Sequence, residues 1–146
     1  SSKDALVETV MLTELRDYLR ALDVITLAVD GFDEQIVEGF VATLRYVREE
    51  SLLSTVLKRD GAWGVAYFAA VAGPIIAAAR EYLAAKIRTA QAVQEAADVD
   101  ADVMAELLVR VCHSLMLTPE GVIPYDDDDA ARRFARDMLV PLVAPR

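Results

Sequence analysis

Apolar residues recur along this chain at spacings of three and four, not two. Between Lys3 and Val29, the positions Leu15, Tyr18, Leu19, Leu22, Ile25 and Val29 form one stripe, and Arg16, Asp17, Arg20 and Asp23 fill the opposite face. That period predicts an amphipathic helix. Asp30-Gly31 predicts its end, because glycine accepts the left-handed backbone a helix stop prefers. Asp33 can cap a second helix, whose buried face is Ile36, Val37, Phe40, Val41, Leu44 and Val47. A short third helix, with Leu52, Leu53, Val56 and Leu57, is expected to stop at Asp60-Gly61. An Ala-rich segment then runs from Ala62 to about Ala97, with Pro74 placed to kink or interrupt it. Asp98 and Asp100 can cap a helix over Ala101 to Leu117, and Thr118-Pro119-Glu120-Gly121 makes a turn. A last helix is expected over about Ala130 to Leu142, striped by Ala131, Phe134, Ala135, Met138, Leu139 and Leu142. No sustained strand-like alternation is found. The pattern predicts one all-α domain over residues 1–146, an antiparallel helical bundle of about six helices.

A chain of 146 residues can bury a full core without a disulfide or metal staple. Its hydrophobic fraction of 55% exceeds the usual value of about 45–50%, so the excess goes to a core, an interface, an apolar pocket or a membrane. The uncharged run Ala62 to Ala79 is long enough to raise the membrane reading. Its Ala and Gly content, its Pro74 and the amphipathic remainder favour a helix buried inside a bundle. The formal net charge of −9, from 15 Lys and Arg against 24 Asp and Glu, argues against nucleic-acid binding by this chain alone, because phosphate contacts need a basic footprint. An anionic membrane surface is disfavoured for the same reason. The lone cysteine, Cys112, lies in an apolar run and is expected to be a small buried hydrophobe. The sequence opens on Ser1-Ser2-Lys3-Asp4 without a signal-peptide pattern. It is expected to be a piece of a longer, cytoplasmic protein.

Catalytic chemistry is not evident. There is one histidine, no GxSxG elbow, no phosphate loop and no paired cysteine, so enzymatic function and bound cofactors are not expected. The run Asp126-Asp127-Asp128-Asp129 lacks calcium-loop spacing and fits a helix N-terminus, where carboxylates cap and favour the dipole; no metal site is expected. Phe40, Tyr46, Trp63, Tyr67, Phe68 and Val71 sit at helical spacing and could line an apolar pocket or simply pack a core. Arg110 and His113 interrupt the apolar stretch Leu107 to Leu115. Arg110 could face solvent, pair with a carboxylate or meet an acidic ligand group. His113 could sit in the core, at an interface or in a pocket.

From Glu106 the sequence Leu107-Leu108-Val109-Arg110-Val111-Cys112-His113-Ser114, the turn Thr118-Pro119-Glu120-Gly121, and the segment Phe134-Ala135-Arg136-Asp137-Met138-Leu139-Val140-Pro141-Leu142 resemble the regulatory C-terminal domain of TetR family transcriptional repressors of the actinobacterial type. The helix ending at Gln91 to Ala96 and the Asp-rich lead after it are similar to that family too. The resemblance implies a homodimer and a pocket for a small hydrophobic or amphipathic ligand. Ligand candidates are Phe40, Tyr46, Trp63, Tyr67, Phe68 and Val71, with Met104, Leu108, Arg110 and Val111 from the helix before the turn. Dimer candidates are His113, Leu117, Ala131, Phe134, Ala135, Met138 and Leu142. The first helix would be the connector to a helix-turn-helix head, of which no trace precedes Leu6. The competing readings are a stand-alone helical module that binds a partner helix and a small membrane-associated protein.

Overall fold

A computed structural model describes residues 2–49 and 52–146, with side chains at part of the positions between 52 and 71. The described residues form six α-helices and no strand. Helix α1 spans Ser2–Thr26 and stops in a turn that ends at Gly31, whose φ of +84° is left-handed, as the Asp-Gly pair predicts. Helix α2 (Phe32–Glu49) is the hub, with eight buried residues from Phe32 to Val47. Helix α3 spans Leu52–Ala92 without interruption. The expected short helix and the break at Asp60-Gly61 therefore do not occur. One glycine in a helix costs about 1 kcal/mol, which the flanking Leu and Ala turns outweigh. Pro74 also lies within α3.

The end of α3 falls at Ala92, five residues before the expected Ala97. The Glu95 amide donates to the Ala90 carbonyl at 2.8 Å, closing the six-residue ring of a helix stop. Gln94 takes the left-handed φ of 63° that glycine would usually supply. The Gln91 side-chain amide then donates to the carbonyls of Ala97 (2.8 Å) and Val99 (2.9 Å), fixing the loop. Helix α4 (Ala101–Leu117) has the predicted bounds because Asp100 accepts from the amides of Asp102 and Val103. Asp127 caps α5 (Asp128–Phe134) through the Ala130 amide at 3.0 Å. A π-helical turn, Ala135–Leu139, leads into α6 (Val140–Val143). Pro141 explains this wide turn. Its ring would crowd the Asp137 carbonyl in a regular helix, and one extra residue in the preceding turn relieves the crowding.

The core joins Ile36, Val37, Phe40, Val41 and Leu44 of α2 to Ala84 and Ile87 of α3, Ala105 and Leu108 of α4, and Ala131, Ala135, Leu139 and Val143 at the C-terminus. Small alanines at those crossings let the helices approach closely. Outside the core, charges couple α2 to the C-terminal segment. Glu34 meets Arg136 at 2.9 Å, Glu38 meets Arg132 at 2.8 Å, and Arg48 meets Asp128 at 2.9 Å, with Arg45 on the same carboxylate.

Candidate functional site

The first four helices, with Leu139 of the π-helical turn, line a partly open apolar cavity of about 230 Å³. Helix α1 contributes Leu15, Tyr18, Leu19 and Leu22, which share a face because they recur at three and four. Helix α2 contributes Ile36, Gly39, Phe40 and Thr43; α3 contributes Phe68, Ile76 and Ala79; α4 contributes Leu108, Cys112, His113 and Met116. Gly39 lets α2 lie close to the end of α1, where a Cβ would meet the Thr26 methyl at 3.5 Å, and Ala79 adds little volume to the wall.

Tyrosines seam α1 to α2 and α3. The Thr43 hydroxyl donates to the Gly39 carbonyl at 2.6 Å, so its oxygen accepts from Tyr18 at 2.5 Å. Tyr18 also stacks on Tyr46, with centroids 4.4 Å apart, and the Tyr46 hydroxyl donates to Glu14 at 2.7 Å. Burial raises the Tyr18 pKa, so the phenol stays protonated and donates. On α3, the Tyr82 hydroxyl donates to Asp23 at 2.5 Å and Lys86 pairs with the same carboxylate at 2.7 Å. These two donors, Lys86 first, hold the Asp23 carboxyl below its ordinary range.

Two titratable groups face the cavity from α4. Burial pushes the Cys112 thiol up to about 12, so it stays a thiol and is no nucleophile at neutral pH. The His113 ring stacks on Phe68 with centroids 5.4 Å apart. Burial, and then the charge of Arg110, lower its pKa, so the imidazole is neutral. Its Nε2 is buried and has no hydrogen-bond partner among the described residues.

Of the residues singled out in the sequence as pocket candidates, Phe40, Tyr46, Phe68 and Leu108 stand in the cavity wall. The side chains of Trp63, Tyr67 and Val71 lie outside the described residues. Met104 and Val111 pack against the core and do not line the cavity. Arg110 points outward, 60% exposed, and bonds Glu106 one turn back at 2.8 Å; that i,i+4 partner satisfies it at the surface. Among the interface candidates, His113 faces the cavity instead. Ala131 and Ala135 are fully buried in the chain's own core and offer no surface to a partner. Phe134 is partly buried and packs on Phe40 at 5.7 Å, and Leu117 is partly buried. Met138 and Leu142 are exposed, at 59% and 41%. Val103 and Leu107 on α4, not among the interface candidates read from the sequence, are exposed as well.

The α1 wall was also missing from the pocket reading, although its stripe is plain in the sequence. Asp127 caps α5, Asp128 meets Arg45 and Arg48, and Asp129 meets Arg132, so three of the four carboxylates of the acidic run are engaged structurally. Among the described residues no cluster of His, Cys, Asp or Glu is placed to hold a metal ion, and no helix is long and apolar enough to cross a membrane.

A four-helix wall around an apolar cavity, with few polar groups, defines a ligand-binding type of helical bundle. The family model for the bacterial tetracyclin repressor C-terminal domain matches residues 32–141, and the chain belongs to this family. Domains of this kind are regulatory, bind small ligands and form dimers. The match begins at the first residue of α2, so three of the cavity walls fall inside it and α1 falls outside. No curated protein and no solved structure matches the chain significantly.

Proposed function

We propose that this domain is the effector-sensing and dimerising part of a TetR-like transcriptional repressor of the cytoplasm, regulatory and not catalytic. A small hydrophobic or amphipathic ligand occupies the cavity, and α1 passes its presence to a DNA-binding head. The observation that carries this reading is the cavity itself, an apolar space lined by α1, α2, α3 and α4, with α1 joined to α2 through Tyr18 and Tyr46 and to α3 through Tyr82. A ligand shifts DNA affinity only if it binds one placement of α1 better than another. Here α1 supplies a full wall, so its placement changes what the ligand touches. Dimerisation uses the apolar residues that the chain's own core leaves uncovered, Val103 and Leu107 on α4 with Met138 and Leu142 at the C-terminal end.

Methyl-resolved NMR during titration with naphthalene tests the cavity. The expected result is a saturable shift of the Ile36, Ile76 and Leu108 methyls, with Val122, which is fully exposed, unmoved. Shifts confined to Val103, Leu107 and Met138 would place the apolar binding surface on the outside and overturn the reading.

A further inference from the structure

The cavity wall is apolar except at a few positions, and among the described residues just one fully buried side-chain nitrogen or oxygen there lacks a partner. Lys86 is spent on Asp23, Tyr46 on Glu14, Tyr18 on Thr43 and Thr26 on the Leu22 carbonyl. The unpaired atom is His113 Nε2, buried at the cavity without a partner among the described residues. A buried polar atom left unpaired is unfavourable, and a ligand group that completed it would recover that loss.

Resting on the effector-site reading, we infer that the cavity takes an uncharged, largely aromatic or alicyclic molecule carrying one hydroxyl group, which bonds His113 Nε2. Three observations fix this class. The volume of about 230 Å³ exceeds the roughly 150 Å³ of an engineered apolar cavity that binds benzene, so two fused rings fit better than one. A ligand carboxylate or phosphate would need a cation, but Lys86 is paired and Arg110 lies outside, on Glu106; an unpaired anion in such a wall is strongly disfavoured. The ring of His113 is neutral, with its pKa held down by burial, so it offers a lone pair or an N–H at Nε2 according to tautomer. A hydroxyl both donates and accepts, so it satisfies either tautomer, whereas a carbonyl satisfies one. Phe68, stacked on the same ring, gives the ligand's apolar body a flat neighbour beside the polar contact.

The test uses three probes of one size, naphthalene, 1-naphthol and 1-naphthoate, in isothermal titration with the full chain at neutral pH. The expected order is 1-naphthol about tenfold tighter than naphthalene, the worth of one neutral hydrogen bond to an otherwise unpaired group, with 1-naphthoate weakest. His113→Leu should bind naphthalene and 1-naphthol equally. His113→Gln, which keeps a side-chain donor and acceptor, should retain part of the preference and serves if the leucine variant does not fold. A wild-type protein that binds naphthalene but prefers neither hydroxyl nor histidine, or prefers 1-naphthoate, overturns the ligand class and leaves the cavity as the effector site. Failure of all three probes overturns both.

Discussion

If the cavity exists to be filled by a ligand, filling it with protein should stabilise the fold and destroy binding together. Ala79 lines the cavity from α3, and Ala79→Leu adds three carbons to its space. Burying them contributes about 2.4 kcal/mol at roughly 0.8 kcal/mol per carbon. Ordering the leucine side chain costs about 0.5–1 kcal/mol, and the helix-propensity loss is only a few tenths. The net gain is about 1–1.5 kcal/mol, or a rise in Tm of about 2–6 °C for a chain of this size. Circular dichroism melts at a fixed protomer concentration measure it, since a dimer's Tm depends on concentration. Titration with naphthalene should show binding weakened at least tenfold. A variant that melts lower would mean the wall is closely packed and has no room. A variant that is more stable yet binds naphthalene as before would place the ligand elsewhere.

Four further outcomes follow from the same contacts. Asp23→Ala strips Tyr82 and Lys86 of their shared acceptor and should cost about 1–3 kcal/mol in urea unfolding, while Asp23→Asn, which keeps an acceptor for Tyr82, should cost roughly half; equal losses would mean that charge alone holds α1 to α3. Asp128→Ala leaves Arg48, 16% exposed, without its main carboxylate and should cost about 1–2 kcal/mol, against less than about 0.5 kcal/mol for Asp17→Ala in the exposed pair with Arg20. Stability should fall with acid in two stages. Below about pH 6.5 the unfolded chain protonates His113 while burial keeps it neutral in the fold. Below about pH 4.5 the unfolded carboxyls take up protons, whereas those of Asp23, Asp128, Glu34 and Glu106 are held low by their cationic and tyrosine partners in the fold. His113→Leu should remove the first stage only. Light scattering should show a dimer that Leu107→Glu splits and Val122→Glu does not; a dimer in both would put the interface elsewhere.

Helix order was legible because its signals are local. Asp100 at the cap and Thr118-Pro119 at the stop mark the bounds of α4 at Ala101–Leu117. Where two local signals conflicted, the stronger one won. Asp60-Gly61 is a stop signal within a helix-forming stretch, and α3 runs through it. The π-helical turn was invisible because it breaks the period that sequence reading relies on, although Pro141 marks its cause.

The cavity was legible only in part for a different reason. A stripe says that a face is buried but not what covers it, so Leu15, Tyr18 and Leu19 were seen as a helix face and not as a pocket wall. The same limit placed Ala131 and Ala135 at an interface when they fill the chain's own core. Arg110 and His113 lie one turn apart on α4, at the margin between the inner and outer faces. Which turns inward depends on Glu106 and Phe68, partners from one turn and one helix away.

The central claim is that a ligand in the cavity holds α1. Hydrogen–deuterium exchange with and without 1-naphthol tests it most directly. At a hundredfold excess over Kd, a bound ligand adds about 2.7 kcal/mol to any opening that must release it. Amides of the inner half of α1, from Leu15 to Thr26, should then exchange about 100-fold more slowly where such an opening controls exchange. Saturated binding that protects α2, α3 and α4 but leaves those α1 amides unchanged would contradict the account.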